Sequence, residues 1–166
     1  YYKKKNFIFN AIKSEADNLI FFKNLKFKLF PEVECYSEDV LIMSYINNNN
    51  ILPNKTKKDF LDAIVHIHSN KYDKFGFDFD TQIGGLKQKN EYNISWIDFY
   101  RENRLGYIYN LINSSEKMDN SINVKIELLL NKLENYIPDS PSSSLLHGDL
   151  WEGNILFNDC NFVGFI

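Results

Sequence analysis

The sequence contains little cysteine, no long apolar run and no excess of basic charge, and each absence excludes a class of protein. Two cysteines, Cys35 and Cys160, are too few for a disulfide framework or a cysteine-rich metal cluster, and they suit a reducing compartment. No apolar segment is long enough to cross a bilayer. The net charge of −3 offers no electrostatic attraction for nucleic acid or an anionic membrane, so we expect neither as a partner.

The ends of the sequence also lack features that a complete chain would have. It begins at Tyr1 rather than at methionine, and it stops at Ile166 within an apolar run that predicts a strand. We therefore expect a fragment, truncated at both ends, that contains no glycine-rich phosphate loop. We expect a cytoplasmic location from the cysteine content, and any targeting segment would lie upstream of Tyr1.

Apolar and aromatic residues are abundant, at 44% and 16% of the 166 positions, which predicts a globular chain with a sizeable core. Apolar periodicity predicts helices over about Ala11–Phe22, Thr56–Ser69 and Ser121–Tyr136, and another that carries Trp96 and Ile112. In the helix over Ser121–Tyr136 we expect a buried face, formed by Ile122, Ile126, Leu129, Leu130 and Leu133.

Short apolar runs predict two hairpins. The first turns at residues 37–39 into the nearly all-apolar segment Val40–Ile46, which is typical of a fully buried strand. The second turns at residues 158–161 near the end of the chain. Between the two hairpins, the asparagine-rich residues 47–55 predict a linker, so we expect one lobe over residues 1–46 and another over residues 56–166.

The segment from Leu145 to Asn154 carries the spacing of a phosphoryl-transfer loop. Leu145 and Leu146 predict a short buried strand, after which His147-Gly148-Asp149 and Asn154 form the pattern H-x-D-x-x-x-x-N. In that pattern an Asp accepts the hydroxyl proton of the substrate, and an Asn amide oxygen binds magnesium. Taken alone, an Asp and an Asn at this spacing could also form an ordinary surface turn in which each bonds its own backbone.

The residues around this pattern resemble a known family. The segment LLHGDLWEGN is similar to the LLHGDLWSGN signature of the fructosamine kinases, or ketosamine-3-kinases, which are related to aminoglycoside and choline kinases. A second block begins at Phe75 and resembles the family's FGFDxDxxIGxTPQPN sequence and the helix that follows it. Its matching positions are Phe75–Gly85, Gln88, Asn90, Trp96, Phe99 and Arg104. Leu86, Lys87 and Lys89 depart from the family pattern.

The resemblance implies an α+β, protein-kinase-like fold with two lobes. It implies Asp149 as the catalytic base, Asn154 as a metal ligand and Trp151 as an apolar floor for the acceptor sugar. For the nucleotide it implies that Lys4, held by Glu15, contacts the phosphates; Lys3 is the alternative to Lys4, one residue away. The segment Met43-Ser44-Tyr45-Ile46 would lie beside the adenine.

The activity implied is ATP-dependent and magnesium-dependent phosphorylation of the 3-hydroxyl of ketosamines, either fructosamine or ribulosamine. The acceptors would be free ketosamines or sugars attached to protein lysines, which makes the reaction a protein deglycation step. Two alternatives remain open: a related kinase for an aminoglycoside or choline-like alcohol, and a non-catalytic, pseudokinase-like binding protein. We expect the 166-residue chain alone to be inactive.

Overall fold

The computed structural model describes residues 10–55, 57–116, 118–139 and 141–166. The α-helices of these residues are α1 (Ala11–Asn24), α2 (Lys58–His68), α3 (Trp96–Tyr100), α4 (Gly106–Ser115) and α5 (Asn120–Asn131). The strands are β1 (Val33–Tyr36), β2 (Leu41–Met43), β3 (Thr81–Ile83), β4 (Leu86–Gln88), β5 (Ile155–Asn158) and β6 (Asn161–Phe165). A π-helical stretch, Arg101–Leu105, joins α3 to α4. Consecutive strands pair as three hairpins, so the mixed helix and strand class predicted from the sequence is confirmed.

The chain divides into two compact units. The first unit contains the residues up to Asn70, together with Gln82–Leu86 and Leu145–Ile166. The second unit contains Lys71–Thr81 and Lys87–Ser144. Among the described residues, no helix is both long and apolar enough to cross a membrane.

An aromatic cluster forms the core of the first unit. Helix α1 starts at Asn10, whose side chain accepts a hydrogen bond from Lys13 N at 2.9 Å and so caps the first turn. Its buried face places Phe22 on Phe30, with the ring centroids 4.0 Å apart. Phe30 in turn lies 5.4 Å from Phe165, which is fully buried. This cluster joins α1 to the end of the last strand.

The first hairpin forms as predicted, but its second strand is neither long nor buried. Strand β1 pairs antiparallel with β2. The strand ends at Met43, and Ile42 is 51% exposed, so the prediction of a fully buried strand over Val40–Ile46 is wrong. Helix α1 contacts both strands of this sheet, and Leu41 and Met43 are half-buried, whereas the Ile42 side chain between them points to the opposite face.

The asparagine-rich segment that follows is hydrogen-bonded to the last hairpin. The backbone N–H groups of Asn49 and Asn50 donate to Phe157 O at 3.1 and 3.0 Å. The Asn49 side chain donates to Asp159 Oδ1 at 2.7 Å and accepts from Asp159 N at 3.1 Å. These contacts join the start of the predicted linker to the chain that follows the candidate catalytic loop.

The last hairpin, β5–β6, is confirmed. Its turn contains Asp159 and Cys160, which both have left-handed backbone conformations, with φ of 47° and 60°. Gly164 lies opposite Leu156, and a Cβ atom added there would be 2.6 Å from Leu29 O and 3.0 Å from Ile46 Cδ1. A glycine is therefore needed where this strand passes the neighbouring backbone.

A buried polar network organises the second motif block, in the second unit. The Asn90 side chain, 5% exposed, donates to Phe79 O and Thr81 Oγ1 at 3.0 Å. Arg104 donates to Asn90 Oδ1 at 2.8 Å, and its guanidinium lies 4.7 Å from the centroid of the Phe99 ring. The motif residues Asn90 and Arg104 therefore stabilise a turn-rich segment of the chain.

Two further predictions from apolar patterns are wrong. Of the expected buried face of α5 and the turn after it, only Leu133 is buried, and side-chain hydrogen bonds join α5 to α4. Tyr109 donates to Glu127 at 2.9 Å, and Asn113 donates to Asn123 at 3.1 Å. Leu145 and Leu146 do not form a strand, and Leu146 is 59% exposed.

Candidate active site

The candidate catalytic loop starts from a histidine that packs into the aromatic core of the first unit. The His147 ring lies 5.7 Å from Phe30 and 5.3 Å from Phe165, measured between ring centroids. Gly148 follows with φ of +91°, a conformation that residues with a Cβ rarely adopt. The turn at Gly148 takes the chain from this core to Asp149, which is exposed.

Asp149 and Asn154 are joined directly. The Asn154 amide nitrogen donates to the Asp149 carboxylate at 3.0 Å and to the Asp149 backbone carbonyl at 2.8 Å. Asn154 N also donates to Trp151 O at 2.9 Å, and Asn154 O accepts from Ile166 N at 3.0 Å. The loop is therefore closed on itself and fixed to the last hairpin, with both candidate side chains on one side of the turn.

The oxygen atoms left over suit a hard cation. Asp149 Oδ1 and Asn154 Oδ1 make no hydrogen bond within the described residues, and carboxylate and amide oxygens are ligands that magnesium prefers. In the part of the chain that the structure describes, no three His, Cys, Asp or Glu side chains are grouped closely enough to hold a metal. Asn154 could thus supply one ligand of a larger set, and Asp149 Oδ1 is left to accept from an acceptor hydroxyl.

His147 is held in its neutral form. Burial lowers the pKa of its imidazole below the usual 6.5, and the negative charge of Asp149 opposes that shift. Its Nδ1 accepts a long hydrogen bond of 3.4 Å from Asp149 N, and its Nε2 is buried without a partner among the described residues. Neutral imidazole therefore helps to fix the backbone conformation at the candidate base.

Trp151 lies between the two candidate side chains along the loop. It precedes the short 3₁₀ turn Glu152–Asn154, in an extended conformation, and is 58% exposed. Exposure of so large an apolar side chain is unusual, since aromatic rings account for much of the apolar area that proteins bury.

The candidate adenine-binding residues follow strand β2. Ser44 N donates to Glu32 O, and Ser44 Oγ accepts from Glu32 N, both at 2.8 Å. The backbone N–H and C=O of Tyr45 and the N–H of Ile46 make no hydrogen bond with described residues. Ile46 also contacts the Gly164 position of β6, so this segment lies against the hairpin that follows Asn154. Met43 is the last residue of β2 and pairs with Val33.

Of the remaining candidates for nucleotide binding, Glu15 lies among the described residues and Lys4 does not. Glu15 lies in the first turn of α1, between the buried residues Ser14 and Ala16, and is half-buried. Lys4 and its alternative Lys3 lie outside the described residues. The structure therefore joins Asp149 to Asn154 and places Ile46 against the hairpin that follows them.

Comparison with known proteins identifies the family of this chain. The family model described as fructosamine kinase matches residues 3–164. The chain belongs to the fructosamine kinase family. The match includes both motif blocks and every candidate site residue.

Individual relatives agree with this assignment. The chain is 31% identical over 116 residues to a "Probable ketoamine kinase" of Vibrio cholerae, an alignment that covers 69% of this chain and 39% of the relative. It is 33% identical over 125 residues to "Protein-ribulosamine 3-kinase, chloroplastic" of Arabidopsis thaliana, covering 73% and 37% of the two proteins. The chain thus spans about half the length, or less, of the curated relatives it matches.

The fold comparison agrees as well. A crystal structure from Haemophilus somnus, provisionally named a fructosamine-3-kinase, matches 92% of this chain and 52% of its own, with a TM-score of 0.67 and 25% identity. The arrangement of helices and strands described above is therefore shared with this fructosamine kinase relative.

Some features of this candidate site were not visible in the sequence. Asn49 and Asp159 bond across 110 positions, and a run of asparagines offers no local signal for such a pair. The stacking of Phe30 on His147 also has no local signal in the sequence, because the two residues lie far apart along the chain. The close approach at Gly164 had one available signal, an isolated glycine within a strand pattern.

Proposed function

We propose that this chain contributes the catalytic loop of a kinase that transfers the γ-phosphoryl group of ATP to the 3-hydroxyl of a ketosamine. The observation that supports it best is the double hydrogen bond from Asn154 to Asp149, because it holds a candidate base and a candidate metal ligand together. Membership of the fructosamine kinase family supplies the reaction class. The activity is proposed for the full-length protein.

Asp149 has the chemistry of the base. Its carboxylate orients the acceptor hydroxyl and takes the proton as the hydroxyl oxygen bonds to the γ-phosphorus, while the bond from that phosphorus to the ADP oxygen breaks. Asn154 would hold magnesium as one ligand of a larger set, and the ion would neutralise charge on the transferring group. Because Asn154 donates to the Asp149 carboxylate, the base is held in place before the acceptor binds.

The nucleotide side is proposed on the same resemblance. Lys4 contacts the ATP phosphates and is oriented by Glu15, and the backbone of Tyr45 and Ile46 faces the adenine beside Met43 and Ser44. The N–H and C=O groups of Tyr45, which make no hydrogen bond with the described residues, support this assignment. Residues 1–46 and 56–166 would then be parts of the two lobes of a protein-kinase-like fold, joined by residues 47–55.

The acceptor side is proposed to include Trp151. Its exposed indole offers an apolar surface next to Asp149, on which the C–H face of a sugar can pack. Acceptors are ketosamines such as fructosyl-lysine or ribulosyl-lysine, either free or on glycated proteins. The name of the Arabidopsis relative, a protein-ribulosamine 3-kinase, supports the second kind of acceptor.

The test is the isosteric variant Asp149→Asn in the full-length protein. It keeps an oxygen for Asn154 to donate to but removes the base, so turnover should fall by roughly 10²- to 10⁴-fold while the KM for ATP stays within about twofold. The control is Glu152→Gln, an exposed carboxylate in the same loop, which should keep turnover. Phosphate position is assigned by ³¹P NMR and mass spectrometry of the product from fructosyl-lysine and ribulosyl-lysine.

Three results would contradict the proposal. Turnover of Asp149→Asn close to that of the parent would remove the base from Asp149. Phosphorylation of kanamycin or choline in preference to both ketosamines would indicate the related small-molecule kinases. ATP binding without phosphorylation of any of these acceptors would indicate a binding protein.

A further inference from the structure

The two glycines of the catalytic loop are present for different physical reasons. Gly148 has a left-handed backbone conformation, and a Cβ atom added to it would meet nothing within 4 Å. Gly153 has no left-handed conformation and belongs to the 3₁₀ turn Glu152–Asn154, which any residue can form. The backbone of this turn therefore gives no reason for a glycine at position 153.

The reason at Gly153 is the indole of Trp151. A Cβ atom on Gly153 would lie no more than 2.8 Å from Cη2, Cζ2 and Cζ3 of that ring, whereas Cβ atoms in proteins essentially never come within 3.0 Å of another heavy atom. The six-membered ring thus rests directly on the Gly153 backbone. These atoms are the outer end of the side chain, so a methyl group at position 153 would displace the ring rather than the loop.

The Trp151 ring packs on the same turn that contains the candidate metal ligand Asn154. Asn154, the next residue after Gly153, donates its backbone N–H to Trp151 O and its side chain to Asp149. One part of the indole is covered by Gly153, and the residue remains 58% exposed. A ring that already packs on the backbone loses less conformational entropy when a ligand binds to its exposed face. The Trp151 indole is therefore suited to contact a ligand.

We propose that Gly153 is a positioning residue, which seats the Trp151 indole and thereby sets the affinity for the acceptor sugar. The inference rests on the proposed function in one respect, that the acceptor is a ketosamine whose sugar packs on Trp151. The seating of the ring on Gly153 is independent of the substrate. The two parts therefore have separate readouts.

The seating is tested by ¹⁹F NMR of the full-length protein labelled with 5-fluorotryptophan. The Trp151 resonance is assigned by its loss in Trp151→Phe. Gly153→Ala should shift this resonance and leave that of Trp96 in place, because Trp96 is remote along the chain and packs on Phe75 and Phe99. Glu152→Ala, a change to an exposed side chain in the same turn, should shift neither. A Trp151 resonance that is unchanged in Gly153→Ala would overturn the seating.

The effect on the acceptor is tested by a double-mutant cycle on KM. Gly153→Ala should raise the KM for fructosyl-lysine by roughly three- to tenfold, the range expected for a lost aromatic contact, and leave the KM for ATP within about twofold. Phenylalanine lacks the outer carbons that a methyl group at position 153 would meet. Gly153→Ala should therefore add nothing further in a Trp151→Phe background.

The outcomes separate this inference from the proposed function. If Gly153→Ala raises the KM as much in the Trp151→Phe background as in the parent, the glycine acts through the backbone at Asn154 and the inference is wrong. If the resonance shifts but the KM for the acceptor does not, Trp151 is no acceptor floor and the inference is again wrong, although Asp149 can still be the base. A parent protein that phosphorylates no ketosamine overturns the proposed function and the acceptor role of Gly153, and the ¹⁹F result then decides the seating alone.

Discussion

His147 connects the candidate catalytic loop to the aromatic core, and the burial of its imidazole gives the stability of the fold a dependence on pH. The imidazole packs on Phe30 and Phe165, and burial keeps its pKa below the usual 6.5 against the pull of the Asp149 charge. In the unfolded chain this histidine regains its ordinary affinity for protons. The neutral ring therefore contributes stability that is present above about pH 6.5 and lost as the pH falls through the lower folded value.

We predict that His147→Gln reduces the loss of stability between about pH 7 and pH 5, because glutamine takes up no proton in either state. The measurement is urea unfolding of the full-length protein at each pH, followed by circular dichroism. The matched control is His66→Gln, at an exposed histidine, which should keep the acid loss because His147 is still present. An acid loss in His147→Gln as large as in the parent would contradict the prediction.

At the scale of single residues, the spacing of side chains within the loop predicts much of the candidate site. The H-x-D-x-x-x-x-N pattern predicted that Asp149 and Asn154 act in one loop, and in the structure they are hydrogen-bonded to each other. The pattern does not distinguish Gly148, whose backbone is left-handed, from Gly153, on which the Trp151 ring packs. That difference depends on where one indole ring packs, and composition and periodicity contain no signal for it.

At the scale of elements, the segment Asn49–Leu52 is held by the turn of the last hairpin. Asn49 Oδ1 accepts from Asp159 N and from Ile51 N at 3.1 Å, and its amide donates to Asp159 Oδ1 at 2.7 Å. Cys160 N donates to Ile51 O at 3.1 Å. One asparagine side chain thus satisfies three polar groups, in a run of asparagines that otherwise looks uniform.

We predict that Asn49→Ala lowers the free energy of unfolding by about 0.5–1.5 kcal/mol, because it removes three hydrogen bonds of this exposed turn, which water replaces only in part. Asn47→Ala, at an exposed asparagine of the same run without a side-chain hydrogen bond among the described residues, should change it by less than about 0.5 kcal/mol. Denaturant unfolding of both variants measures the difference. Equal effects at the two positions would mean that the bond to Asp159 contributes nothing to stability.

Helices could be predicted from the sequence where the apolar periodicity extends over many residues. Helices α1 and α2 begin and end close to the predicted residues, and both hairpins turn where expected. Predictions of burial failed more often, as for Ile42 and the face of α5, since an apolar residue in a helical or strand pattern is buried only if another layer covers it. Whether such a layer exists is a property of the tertiary structure.

For the whole molecule, uncovered apolar area is the feature with the clearest physical consequence. Apolar side chains of α4 and α5 that are at least 37% exposed are Ile108, Leu111, Ile112, Ile122, Val124, Leu128 and Leu129. Polar side chains join the two helices, through Tyr109 with Glu127 and Asn113 with Asn123, while these apolar side chains face solvent. A net charge of −3 provides little repulsion between copies at physiological ionic strength.

We predict that the 166-residue chain self-associates through this surface as its concentration rises. Leu128→Lys should shift the onset of association to roughly tenfold higher protein concentration, because it removes a side chain that is 53% exposed and places a charge in the apolar contact. Ile94→Lys is the matched control, since it makes the same change of charge at a loop residue that is 85% exposed and lies outside both helices. Sedimentation velocity over a concentration series measures the shift. If the parent chain sediments as a monomer throughout, the α4 and α5 surface does not drive association, and if Ile94→Lys is as effective as Leu128→Lys, charge rather than the apolar surface controls it.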